Sequence, residues 1–157
     1  MELQIVNGTK RELPQVLSWL KQEDAETGEG FYCNRDVIAR SFLAGSALCT
    51  LLDGQVVGFA VYYLALPGSG VSIVEVRPQC RKRGVGAHTL SAAVQRLKSL
   101  GAEYVHAECT STEGEALCRA HGFQTYVDPR NYRSPHASPE LRLVLRPPAI
   151  PSAPPDW

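Results

Sequence analysis

Hydrophobic positions along this chain recur with two different periods, and the changes from one to the other outline its elements. Leu3 and Ile5 alternate with polar neighbours, as a half-buried strand does, and Asn7-Gly8-Thr9 ends that strand and supplies capping residues for the next element. Leu13, Val16, Leu17 and Leu20 then recur at helical spacing, predicting a helix over residues 11–21 with Pro14 in its first turn, where a missing N–H is tolerated. From Gln22 to Gly30 the apolar stripe stops. Glu23, Asp24, Glu26 and Glu29 alternate with small residues and two glycines, Gly28 and Gly30, which reads as a loop. A second helix begins near Asn34, carries Val37, Ile38 and Phe42 on one face, and ends at Gly45.

Ala47–Leu52 and Val56–Leu66 are almost continuously apolar and are separated by Asp53-Gly54, the signature of a type I′ hairpin between two buried strands. Pro67–Gly70 reads as a turn and Val71–Val76 as a further strand. Helical spacing returns in Gly84–Leu100, with Leu90, Ala93, Val94 and Leu97 on one face and Gly101 as the cap. Tyr104–Cys109 is a strand, Glu113–His121 a helix closed by Gly122, and Phe123–Val127 and Leu141–Leu145 are the last strands, joined by a polar loop that holds Tyr132. The order β-α-α-β-β-β-α-β-α-β-β defines an α/β fold around a mixed sheet with about four helices. After Arg146, five prolines in eleven residues predict an extended tail, so residues 1–146 form one domain and residues 147–157 lie outside it. No internal repeat is visible.

The 157 residues and 17.2 kDa suit a single domain with a real core. With 44% apolar and 20% charged residues, the composition is that of an ordinary globular protein. Lys+Arg and Asp+Glu are both 16, so the zero net charge argues against a nucleic-acid binder that works by bulk phosphate attraction. The longest apolar run, Val56–Leu66, is too short to span a bilayer, and Met1–Ile5 lacks a basic lead into an apolar stretch, so neither a membrane span nor a signal peptide is expected. Cys33, Cys49, Cys80, Cys109 and Cys118 form no C-x-x-C pair, and His88, His106, His121 and His136 are scattered. No metal and no disulfide is therefore expected, and a cytoplasmic protein with reduced thiols is the simplest expectation.

Charge balance fails locally in one place. Between Arg77 and Ala102 there are six Lys/Arg (77, 81, 82, 83, 96 and 98) and no Asp or Glu. In Arg77-Pro-Gln-Cys-Arg-Lys-Arg-Gly-Val-Gly-Ala87 a strand ends, a basic loop follows, glycines stand at 84 and 86, and a helix begins. Glycines let a ligand approach the backbone, and a helix start offers unpaired N–H donors and about half a positive charge; together these bind phosphate or diphosphate. The pattern is neither a P-loop nor a full G-x-G-x-x-G.

The same stretch resembles a known family. Arg81-Lys-Arg-Gly84-Val-Gly86 matches the [Q/R]-x-x-G-x-[G/A] motif of the GCN5-related N-acetyltransferase (GNAT) superfamily. Val74-Glu-Val-Arg-Pro78 looks like that family's fourth strand, and Ala116-Leu-Cys-Arg-Ala-His-Gly-Phe123 resembles its A-x-x-[LF]-Y-x-x-x-G-F helix. The resemblance covers residues 1–146 and implies a mixed, mostly antiparallel sheet. It also implies acetyl-CoA as cosubstrate, no metal, and a primary amine acceptor. On this reading backbone at Arg83, Gly84, Val85, Gly86 and Ala87 holds the diphosphate, with Arg81, Lys82 and Arg83 supplying charge. Main chain at Val74 and Val76 pairs with the pantetheine where the fourth strand splays from the fifth, and helps polarise the thioester carbonyl.

Acetylating an amine requires a base to remove a proton from an ammonium with pKa about 10.4. By position, Glu108 near the end of the fifth strand matches the glutamate of the branch that acetylates protein N-termini. Flanked by Ala107 and Cys109, it is expected to be partly buried with a raised pKa. Glu75 is the second candidate. The family's tyrosine, the usual acid beside the CoA sulfur, is replaced by Cys118, and its common asparagine by Glu113. Cys118 reads as a small buried residue before it reads as a replacement acid, which would pass the acid's role to water, Tyr126 or Tyr132. His88 fits a solvated helix face, His106 a hydrogen-bonded sheet position and Trp19 core or rim.

The resemblance implies that the segment between the first two helices lines the acceptor pocket; there the acids at 23, 24, 26 and 29 either form a solvated acidic loop or attract a cationic acceptor such as a polyamine, an aminoglycoside-like molecule, a lysine side chain or a peptide N-terminus. A homodimer follows only from the resemblance. Two other classes stay open: an acyl-CoA-binding sensor that has lost turnover with its tyrosine, and a nucleotide-phosphate binder unrelated to CoA.

Overall fold

The computed structural model describes residues 2–127 and 140–145. The elements are β1 (Leu3–Asn7), α1 (Leu13–Thr27), α2 (Arg35–Leu43), β2 (Ala47–Leu52), β3 (Gln55–Ala65), β4 (Gly68–Val76), α3 (Val85–Ser99), β5 (Tyr104–Glu108), α4 (Thr112–Ala120), β6 (Gln124–Thr125) and β7 (Glu140–Val144). They build a seven-stranded sheet in the order β1-β2-β3-β4-β5-β7-β6. Every adjacent pair is antiparallel except β4 and β5, which run parallel. The sheet is therefore mixed, with four helices among the described residues, as the element order predicts, and mostly antiparallel, as the family resemblance implies.

Side-chain alternation sorts β2 and β3 into two cores. Leu48, Ala60 and Tyr62 face Leu90, Ala93, Val94 and Leu97 of α3. Cys49, Phe59 and Val61 face Val16, Trp19 and Leu20 of α1 and Ile38 and Phe42 of α2. Both faces are covered, which is why these strands read as unbroken apolar runs. Asp53 and Gly54 have φ of 50° and 77°, the paired positive angles of the predicted type I′ turn. Phe59 is fully buried, with ring centroids 5.7 Å from Trp19 and 6.0 Å from Phe42. Phe59→Ala is expected to destabilise the fold by about 3–5 kcal/mol, read as a lower midpoint in urea denaturation.

Two local readings are corrected. Residues 22–27 are not a loop: α1 continues to Thr27 and stops only at Gly28, whose φ of 71° caps the helix, and the loop is confined to the residues that follow. The apolar stripe breaks off after Leu20 because its next member, at i+3, is Glu23, a carboxylate that is 5% exposed. Gly68–Gly70 is not a turn but the start of β4. A Cβ at Gly68 would overlap the ring of Tyr104 and one at Gly70 the ring of Tyr63, so these glycines serve close approach. The Tyr132 loop and the tail 147–157 lie outside the described residues. No helix among the described residues is long and apolar enough to cross a membrane.

Candidate active site

The sheet opens between its two parallel strands. β4 and β5 are in register at one position, Gly70 opposite His106, while β4 continues to Val76 along β3. A β-bulge helps set this geometry: Val61 faces Ile73 and Tyr62 faces Val71, leaving Ser72 as an extra residue on β4. The bulge also inverts the alternation. Val71 belongs to the α3 core and Ile73 to the α1/α2 core, so Val74 returns to the α3 side and Glu75 turns to α1.

Beyond β4, residues Pro78–Cys80 make one 3-10 turn and the chain enters α3 through two left-handed residues, Lys82 at φ 63° and Gly84 at φ 81°. Glycine fits that angle at the N-cap; the Gly84 side chain position is open space. No side chain caps α3, and among the described residues no backbone carbonyl accepts from the amides of residues 82–87. Lys82 and Arg83 are exposed beside them. The result is a row of unclaimed N–H donors at a helix start, flanked by positive charge. Gly86 faces the opening: a Cβ there would lie 3.4 Å from Leu117 of α4 and 3.5 Å from Val76.

Arg81 is committed elsewhere. Its Nε donates to the Val76 carbonyl at 3.1 Å, and one terminal nitrogen pairs with both Glu75 and Glu23. The two carboxylates are 8% and 5% exposed, one from β4 and one from α1. Burial, then the charge of Glu23, pushes the Glu75 carboxyl up to about 7, against the opposing pull of Arg81. The second oxygen of Glu23 is buried with no partner among the described residues. Gly30, at φ 95°, lies directly over that oxygen, where any Cβ would overlap it.

Glu108 ends β5 and is exposed, not partly buried as its neighbours suggest. Val105 and Ala107 belong to the α3 core, so alternation puts Glu108 on the same sheet face as Glu75, across the opening. Cys118 is buried in that core with Cys109 Sγ at 3.8 Å, and burial pushes its thiol up to about 12. His106 Nδ1 lies 2.9 Å from Glu140, and Arg142 stacks over Tyr104 and Tyr126 at 4.0 and 3.5 Å. His88 and Glu113 are exposed, and Trp19 is core. Sequence reasoning missed that Glu23 and Arg81 meet Glu75; a carboxylate at the next position of an apolar helical stripe was the available signal. Among the described residues no group of three or more His, Cys, Asp or Glu could hold a metal ion.

A mixed sheet split at β4/β5, with an uncapped helix start beside the split, is an α/β arrangement suited to a phosphate-bearing ligand. The chain belongs to the acetyltransferase (GNAT) family, whose sequence profile matches residues 13–123. Among solved structures it is similar to the PaiA N-acetyltransferase of Thermoplasma acidophilum in complex with coenzyme A, at 12% identity, TM-score 0.71, over 92% of this chain and 99% of that one. A polyamine N-acetyltransferase of Drosophila melanogaster matches at 15% identity and TM-score 0.69, over 92% of this chain and 100% of that one. The ribosomal-protein-S18-alanine N-acetyltransferase of Escherichia coli matches at 14% identity and TM-score 0.65, over 92% and 95%. No curated protein sequence matches the chain significantly.

Proposed function

We propose that this protein transfers an acetyl group from acetyl-CoA to a primary amine, with Glu75 rather than Glu108 as general base. The observation that carries the reading is the position of Glu75: a buried carboxyl pushed up to about 7, on the strand whose free edge borders the unclaimed amides of residues 82–87. Those amides, with Lys82 and Arg83, suit the diphosphate of the donor, and the β4 edge through Val74 and Val76 suits its pantetheine arm. A base near neutrality is matched to drawing a proton from an ammonium at working pH. The neutral amine then attacks the thioester carbon; the C–N bond forms, the C–S bond breaks, and CoA leaves as thiolate, which takes up the remaining proton of the nitrogen directly or through water.

Cys118 we assign to packing. A thiol pushed up to about 12 and turned towards Cys109 in the α3 core is a poor donor to a leaving group. Asp24, Glu26 and Glu29 remain exposed at and just beyond the end of α1, a negative approach that favours a cationic acceptor. Structural relatives named for polyamine and alanine N-acetylation are in keeping with it.

The test is a CoA-thiol release assay across polyamines, lysine derivatives and peptide N-termini, alongside calorimetry with acetyl-CoA. Binding with turnover is expected, and kcat/KM should rise about tenfold per pH unit below pH 7 before levelling as Glu75 ionises. Tight binding with no turnover on any amine would select the sensor reading, to which the missing tyrosine at Cys118 points.

A further inference from the structure

We infer that Glu23 is a positioning residue for Glu75: the two carboxylates share one guanidinium, that of Arg81, and this three-way contact between α1, β4 and the phosphate loop sets where and how Glu75 carries its proton. The inference rests on Glu75 being the base.

The geometry leaves little freedom. Arg81 is tied to β4 by its Nε on the Val76 carbonyl, so its terminal nitrogen is fixed beside Glu75. Glu23 reaches the same nitrogen from α1. Gly30 closes over Glu23 from the opposite side, leaving its second oxygen buried and unpartnered. Two buried carboxylates against one cation carry a net charge of about −1 when both ionise, a costly state away from water. A proton on Glu75 cancels it. Among the described residues the charged groups acting on Glu75 are Glu23 from α1 and Arg81 from the loop; β3 contributes the apolar Phe59 opposite it. Glu23 and Arg81 therefore push the base in opposite directions.

That opposition makes the test specific. The pH profile of kcat is measured at saturating acetyl-CoA for three variants. In Glu23→Gln the repulsion is gone and Arg81 is left to Glu75 alone, so the acid limb is expected to move down by about one pH unit or more. In Arg81→Gln the cation is gone, so the limb is expected to move up. Glu23→Asp, which keeps the charge on a shorter arm, is expected to restore most of the original limb. A Glu23 that merely supports the fold would change Tm and kcat but leave the limb in place, and that result overturns the inference. Should Glu23→Gln fail to fold, the Arg81→Gln limb decides alone, and an unmoved limb there is equally fatal. Full activity in Glu75→Gln would instead remove the base assignment, which distinguishes the two failures.

Discussion

Replacing Glu75 by Gln is expected to lower kcat about 100- to 10,000-fold while leaving acetyl-CoA affinity within a few-fold of the parent protein. Gln keeps the volume and the hydrogen-bonding capacity towards Arg81 but cannot take a proton from the acceptor. The proposed donor site consists of backbone amides after β4, which this change does not touch. Stability separates chemistry from folding. A carboxyl whose folded pKa is raised stabilises the protein while it is protonated, fully so below its unfolded value near 4.5, and that contribution is lost as pH rises through about 7. Gln mimics the protonated form at every pH, so Tm of the variant should match or exceed that of the parent above pH 7. Activity lost with Tm retained, seen in stopped assays beside thermal melts, identifies the base. Glu108→Gln, exposed at the end of β5, is expected to cost far less. If the two variants lose activity in the reverse order, the assignment of the base reverses too.

Gly86→Glu is expected to weaken acetyl-CoA binding at least about 100-fold, or about 3 kcal/mol, read directly by calorimetry. Two effects add. The new side chain enters the gap between Val76 and Leu117, where a Cβ alone already sits at ordinary contact distance. Its charge also stands in the first turn of α3, beside the amides that a diphosphate would need. Gly86→Ala is the control. Its methyl meets Leu117 at 3.4 Å and Val76 at 3.5 Å without overlap, so binding should stay within a few-fold. Unchanged affinity in the Glu variant would mean that the donor does not pass this gap.

What the chain shows by itself is whatever depends on near neighbours. Hydrophobic spacing placed α2, α3, the β2–β3 hairpin and β5 close to where they stand, because each of these patterns is generated by burial of one element against a continuous core. The basic, glycine-containing entry to α3 was legible for the same reason: a strand end, a positive-φ glycine and a helix start are contiguous in sequence. The polar end of α1 was misread because polarity alone does not separate an exposed helical turn from a loop. The glycines of β4 were misread because what lies over them, Tyr63 and Tyr104, comes from other strands.

The contrast in setting between the two carboxylates belongs to the tertiary structure. The family resemblance set Glu108 first, with its apolar neighbours in support, and in the structure it stands exposed at the end of β5. Glu75 gains its buried, charge-coupled setting from two events that local pattern does not encode. One extra residue, Ser72, reverses which face of the sheet the rest of β4 presents. Then Glu23, fifty-two positions earlier in the chain, arrives on α1 to share Arg81. Proton affinity depends on desolvation and on charges a few ångströms away, and in a folded chain those neighbours are set by the packing of distant segments.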